Sequence, residues 1–383
     1  MNAGSRAFIA ASSLTAAALV QGCPVDDRTL HLGSGGTIVI TTGGNPGGGA
    51  AGMAGEESGG TSPGTGGLGG SSAGSIGDGG DSGTGGTSGT GTGGSGGLVE
   101  CRTARCSCFG DEGDECASEN CCGTGSLPAG SFTLGGGGGT SVDATLETYG
   151  LDDFEVTVGR FRKFVASYLG PPSPEDGQNP WVVGSGWQSA WNGSIAADAD
   201  ALRSELRCDT ALATWTNEPG DHEASPMNCV TWFEAFAFCA WDGARVPSEA
   251  EWEYAASGAD SPSDFPWGDQ APDHDRALYD CDGRALDDCT ADDFAEVGSK
   301  PEGYGRFGHA DLAGSVAEWV LDWHAAYADP CENCANVEEG TERVTRGGSL
   351  LTTTPSDLSP RQRSPEAPDL RSPAIGIRCA RDD

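Results

Sequence analysis

Fifteen cysteines, five histidines and a surplus of carboxylates are what this chain offers for chemistry. His309-Ala310-Asp311 has the His-x-Asp spacing of a non-haem iron facial triad, and His324 or His222 could supply a third ligand. Cys331-Glu332-Asn333-Cys334 could close a small loop or serve as a redox pair. Cys101, Cys106, Cys108, Cys116, Cys121 and Cys122 crowd into a collar. Zinc sites cluster cysteines in this way, but the collar contains no histidine. Ser349 follows Gly347-Gly348, which reads as a tight turn requiring positive φ rather than as the setting of a catalytic serine. No Ser/His/Asp triad can be argued, and one of the histidines, His31, sits beside a linker.

Compartment decides how the cysteines are read. Residues 1–23 resemble an export signal, with Arg6 ahead of a mostly apolar run from Ala7 to Val20. That run is short for a membrane span. Val20-Gln21-Gly22-Cys23 places a small residue before a cysteine, as lipoprotein processing requires, so Cys23 is the expected lipidation site. Fourteen cysteines then remain, an even set in an exported chain, and disulfides are expected. By proximity Cys281 should pair with Cys289, and Cys208 with Cys229. The net charge of −36 argues against nucleic acid and against electrostatic adhesion to anionic lipid. It is compatible with bound calcium, and solubility outside the cell would also account for it.

The elements that must position these residues occupy only part of the chain. Residues 24–99 form a Gly/Ser/Thr-rich linker that cannot bury enough apolar surface to offset its chain entropy and is expected to be disordered. Its reach is about 40–50 Å for a flexible glycine-rich coil. The collar spans 100–125, and a folded domain is expected over 126–383. Leu127 to Gly135 reads as a short strand and turn. Val158, Phe161, Val165 and Tyr168 recur at helical spacing after Thr157. Thr231 with Glu234, and Ser248 with Glu251, form capping boxes opening two further helices, which end near Gly243 and Gly258. Beyond residue 259 regular structure should be sparse, since Gly, Pro and Asp punctuate the chain every few residues. Trp181, Trp187, Trp191 and Trp215 fall in a long insertion between the first two helices and could form core or a sugar- or peptide-binding surface.

Several segments occur in a telling order. They are Glu155-Val156-Thr157-Val158, Pro226-Met227-Asn228-Cys229-Val230-Thr231-Trp232, Phe238-Cys239-Ala240-Trp241-Asp242-Gly243 and Pro247-Ser248-Glu249-Ala250-Glu251-Trp252-Glu253-Tyr254. Phe265-Pro266-Trp267-Gly268, the run from Gly308 to Trp319, Arg346-Gly347-Gly348-Ser349 and Gly376-Ile377-Arg378-Cys379 complete the series. Together they resemble the sulfatase-modifying factor family, whose founding members are formylglycine-generating oxidases. The resemblance implies an α+β, irregular and loop-rich domain, formylglycine-generating-enzyme-like and distantly like C-type lectins. It also implies a calcium site, with side-chain oxygens from Asp311 and Glu318 and backbone carbonyls from Gly314 and Val316. Ser315 stands between two of these ligands, where the family usually has asparagine. A second family calcium site has no clear counterpart in residues 279–295. The resemblance further implies a disulfide between Cys239 and Cys379.

The family's oxidases bind copper(I) through two cysteines just after the Arg-Gly-Gly-Ser segment. Those positions fall on Thr352 and Asp357, and a hydroxyl and a carboxylate cannot replace soft thiolates. Ser349 is retained, and Leu350 replaces an aromatic residue. Iron-binding relatives use a separate helical domain with spaced histidines that has no counterpart here. Calcium is therefore the expected cofactor, and neither copper nor iron is expected. The reading is an exported, membrane-anchored protein of the cell envelope that binds a protein, peptide or carbohydrate. A metal-dependent oxidase and a structural envelope protein are the rival readings.

Overall fold

The computed structural model describes residues 106–108, 115–116, 119–136, 139–208, 211–259, 262–338 and 340–382. The expected export segment, Cys23 and the linker lie outside the described residues. In the collar, β1 (Glu115–Cys116) pairs antiparallel with β2 (Glu119–Asn120). Next come β3 (Thr124–Leu127), β4 (Gly130–Gly135), β5 (Ser141–Leu146) and β6 (Tyr149–Asp152). The run expected as one strand and a turn is thus parts of two strands, β3 and β4. The collar is stapled by Cys108–Cys122, with Cα atoms 6.0 Å apart. It docks on the domain because the Ser107 amide donates to Asp242 (2.7 Å) and Arg160 donates to the Ser107 hydroxyl (3.0 Å).

Four helices follow. In α1 (Val158–Ser167) the Thr157 hydroxyl caps the Arg160 amide, and Val158, Phe161 and Val165 are fully buried. A short α2 (Ala199–Glu205) lies in the insertion, capped by Asp198. In α3 (Trp232–Trp241) the Thr231/Glu234 capping box forms, and Gly243 at φ +67° turns the chain away. Eight of its ten residues are buried, as an almost wholly apolar helix requires. Phe161 of α1 stacks on Phe238 of α3 with centroids 5.4 Å apart. In α4 (Glu249–Ser257) the Ser248/Glu251 box forms and Gly258 closes the helix at φ +81°.

All of α4 is buried, including three glutamates. A buried carboxylate requires a partner, and each has an arginine. Glu251 pairs with Arg245 (2.7 Å), Glu253 with Arg346 (2.6 Å), and Glu249 with Arg363 (2.6 Å).

Past residue 259 the regular elements are short and far apart, as expected, and most of them are strands. β7 (Ala317–Trp323), β8 (Cys331–Glu332), β9 (Arg343–Arg346), β10 (Arg363–Glu366), β11 (Ile375–Gly376) and β12 (Ala380–Asp382) are all present. Four of them build a sheet in the order β10-β9-β7-β11. Six of the seven residues of β7 are buried, so the strand shows none of the alternation by which a half-buried strand is read. β12-β6-β3 and β4-β5-β8 form two further sheets. Cys239 joins Cys379 (Cα–Cα 5.6 Å), Cys208 joins Cys229 (5.4 Å), Cys281 joins Cys289 (5.8 Å) and Cys331 joins Cys334 (5.0 Å). In the insertion, Trp187 and Trp215 are core, Trp191 is half-buried, and only Trp181 is exposed.

Candidate functional site

Two loops meet at the end of the four-stranded sheet. One runs from Asp311 into β7, and the other leaves β9 at Arg346. They are stitched together by backbone bonds, from the Gly314 amide to the Gly347 carbonyl (2.9 Å) and from the Leu350 amide to the Ser315 carbonyl (2.8 Å). Both loops depend on left-handed backbone. Asp311 (φ +56°), Gly314 (+88°) and Ser315 (+58°) wind the first, and Gly347 (+99°) and Gly348 (+69°) turn the second. A side chain at Gly348 would crowd Leu358, at 2.9 Å, in a conformation L-residues avoid. The Gly347-Gly348 pair is thus the tight turn expected of it.

The first loop gathers charge. Glu318 accepts from Arg378 (2.9 Å) and from the Trp252 indole N–H (2.6 Å), which ties β7 to α4. Asp311 accepts from the Gly298 amide (2.6 Å). Glu155, fully buried between β6 and α1, accepts from the Ser315 hydroxyl (2.9 Å) and the Val316 amide (3.1 Å). Burial, then the nearby Asp311 and Glu318 charges, holds the Glu155 carboxyl well above its usual range. Burial also raises Asp311. Three carboxylates therefore face one guanidinium, Arg378. Hard oxygen donors with uncompensated negative charge fit calcium in kind. The three carboxylates do not close on a point. Among the described residues the only trio of His, Cys, Asp or Glu whose ligand atoms lie within 4.8 Å of one another is Cys281, Cys289 and Asp293. A cation would therefore draw on Asp311 and Glu318 with backbone carbonyls. The sulfurs of the Cys281 trio are joined as a disulfide, so that group is no thiolate site.

The histidines do not assemble around Asp311. His309 is buried with Nε2 3.2 Å from the Leu151 carbonyl, and burial followed by Arg378 pushes it down to about 4. His222 lies 3.2 Å from Asp292, and His324 is exposed.

The second loop lines a cavity of about 220 Å³ with Arg346, Ser349, Thr352, Asp357, Gln362 and Glu366 on its wall. The Thr352 hydroxyl accepts from the Ser349 amide (2.9 Å), and the Ser349 hydroxyl accepts from the Leu351 amide (3.2 Å). Asp357 is exposed at the mouth. No cysteine lines the cavity.

The family model of the sulfatase-modifying factor enzyme 1-like domain matches residues 112–383. The chain belongs to this family. The formylglycine-generating enzyme of Streptomyces coelicolor is 31% identical over 293 residues, covering 67% of this chain and 88% of that protein. The inactive C-alpha-formylglycine-generating enzyme 2 of Mus musculus is 26% identical over 283 residues, covering 66% of this chain and 84% of that protein. The hercynine oxygenase of Mycolicibacterium smegmatis is 30% identical over 293 residues, covering 67% and 60%. Among solved structures, PvdO from Pseudomonas aeruginosa aligns with a TM-score of 0.49 at 24% identity, covering 68% of this chain and 94% of that one. The α+β, loop-rich architecture is that of the family. Glu155, Gln362 and Glu366 are site residues that sequence reasoning missed. A carboxylate set between Phe154 and Val156, both destined for the core, was the available signal for the first.

Proposed function

We propose that this protein is a ligand-binding member of the sulfatase-modifying factor family that does not form formylglycine. One observation carries the reading. The positions onto which the copper-binding cysteines fall, Thr352 and Asp357, line a cavity walled by hydroxyls, amide and carboxylates. The cysteines flanking this segment in sequence, Cys334 and Cys379, are each in a disulfide. A disulfide sulfur is no thiolate, and hard oxygens do not hold copper(I). The residues present do not fit copper, and no oxidation step is derived through it. Calcium fits better. Asp311 and Glu318 would hold it with the Gly314 and Val316 carbonyls, and it would neutralise the buried carboxylates behind the cavity. Export and a lipid anchor on Cys23 complete the reading. The test incubates the full chain with copper(I), oxygen and a sulfatase-type cysteine peptide, with mass spectrometry as readout. No formylglycine is expected. Formation at a catalytic rate, dependent on the protein, overturns the reading.

A further inference from the structure

One chemical motif plays no part in the cavity or in the calcium site. Cys331-Glu332-Asn333-Cys334 carries a disulfide with Cα atoms 5.0 Å apart, and neither cysteine lines the cavity. A Cys-x-x-Cys pair is either a structural staple or a redox pair. As a staple this one does little. Its separation of 3 removes less chain entropy from the unfolded state than the separations of 14, 21, 140 and 8 closed by the other disulfides described above.

The segment is also held in place without the bond. Ala144 and Thr145 of β5 pair with Cys331 and Glu332 of β8. The Asn333 amide donates to the Thr145 carbonyl (2.8 Å), and the Glu147 amide donates to the Asn333 side-chain oxygen (2.7 Å). Just beyond the motif, the Asn336 amide donates to Asp322 (2.7 Å) and the Trp323 amide donates to the Asn336 carbonyl (2.8 Å). None of these contacts runs through sulfur. Reduction therefore leaves the two thiols side by side, as reversible cycling requires. Cys108 and Cys208 are half-buried too, but their partners lie 14 and 21 residues away, and a longer loop opened by reduction lets its ends drift apart.

Access is unequal at the two sulfurs. Cys331 is buried, Cys334 is half-buried, and Glu332 between them is exposed. Asn333 turns the ring at φ +47°, in the left-handed region. Strained or exposed disulfides are the ones that exchange, while buried ones resist reduction. Attack therefore falls on Cys334, and Cys331 is the leaving group. β8 is the edge strand of the β4-β5-β8 sheet, and an edge offers backbone to an incoming extended chain.

We propose that Cys331–Cys334 is a thiol–disulfide exchange site that oxidises a dithiol on a partner polypeptide. One partner thiolate attacks Cys334 Sγ, the bond to Cys331 breaks, and Cys331 leaves as a thiolate. The second partner thiolate then attacks the partner sulfur of the mixed disulfide, and Cys334 leaves. The partner loses two electrons and gains a disulfide. Cys331 and Cys334 gain the two electrons and take up the two protons that the partner thiols released.

The experiment incubates the full chain with graded amounts of the dithiol peptide acetyl-Gly-Cys-Gly-Gly-Cys-Gly-amide. Thiols are then blocked with iodoacetamide and mapped by mass spectrometry. Cys331 and Cys334 should be labelled together, with one oxidised peptide formed per labelled pair, while Cys239 and Cys379 stay joined and the melting transition is kept. In Cys331→Ser the Cys334 thiol should react with glutathione disulfide at least about tenfold faster than the Cys331 thiol does in Cys334→Ser, because burial shields a thiol from attack. No labelling of Cys331 and Cys334, or labelling only at peptide levels that also open Cys239–Cys379, overturns the inference. Equal reactivity of the two variants overturns it as well.

Discussion

Calcium should reverse the effect of one substitution. In the metal-free protein Glu155 and Asp311 are raised by burial, and Glu155 also by the charges of Asp311 and Glu318. Glu155→Gln removes a carboxyl whose ionised form burial and the Asp311 and Glu318 charges disfavour. It keeps an acceptor for the Val316 amide and an amide that can meet the Ser315 hydroxyl. Without calcium the variant should therefore melt above the wild type. With calcium at 100 times its Kd, linkage stabilises the wild type by about 2.7 kcal/mol. For a folded unit of about 270 residues, matched over 112–383, that is a rise in Tm of roughly 5 °C. The variant has lost charge that favours the ion and should gain less. Asp311→Ala, which deletes a proposed ligand, should gain almost nothing. The assay is differential scanning calorimetry of the three proteins in EDTA and in a calcium series. Equal shifts in wild type and Asp311→Ala, or no shift in any, would refute the calcium assignment. A Glu155→Gln protein less stable than wild type in EDTA would refute the charge argument.

Other outcomes follow from single features. Wild type should partition with membranes and Cys23→Ser should be released, and equal solubility of the two would remove the lipid anchor. On the chain-entropy account, removing Cys239–Cys379, which closes a separation of 140, should cost about 5 kcal/mol. Removing Cys331–Cys334, with a separation of 3, should cost about 2 kcal/mol, and urea midpoints ranking the pairs in the opposite order would contradict this. Burial, then the Glu249 charge, pushes Asp322 up to about 7. The folded state then keeps a proton that the unfolded chain has released, so this stabilisation is complete below about pH 4 and is lost as pH rises through 7. Wild type should lose about 2.5 kcal/mol between pH 5 and 8 on this account, and Asp322→Asn should not. Parallel pH profiles of urea unfolding for the two would refute it.

How much of this was legible depended on range. Thr157, Thr231 with Glu234, Ser248 with Glu251 and Gly258 act on residues within a turn of themselves, and the helix ends they mark are where the chain places them. Thr352 and Asp357 could be singled out because they follow the Arg346 to Ser349 segment directly in sequence, whereas Ala317 and Ile375 join them in the cavity wall from β7 and β11. Partners at long range were not legible. Nothing near Glu155 in sequence indicates that Ser315 and Val316 will meet it, 160 and 161 residues away. Arg343 lies within 3.7 Å of the Trp232 ring centre and 3.5 Å of that of Trp323, a buried stack that no local pattern announces.

The same distinction separates the segment from Pro247 to Tyr254 from the positions Thr352 and Asp357. The glutamates of Pro247 to Tyr254 look like chemistry in the sequence. In the fold Glu251 fixes Arg245, Glu253 and Glu249 fix Arg346 and Arg363, and Trp252 fixes Glu318. The ties to Arg346 and Glu318 join α4 to β9 and β7, the strands next to the two site loops, and removing one partner of a buried pair costs about 3–5 kcal/mol. Thr352 and Asp357 stand outside that network, with Asp357 exposed at the cavity mouth. The framework places few demands on the side chain of Asp357, while the Thr352 hydroxyl still holds the Ser349 amide. Changes at Asp357 should alter what the cavity accepts while the loops, the sheet and α4 stay as they are.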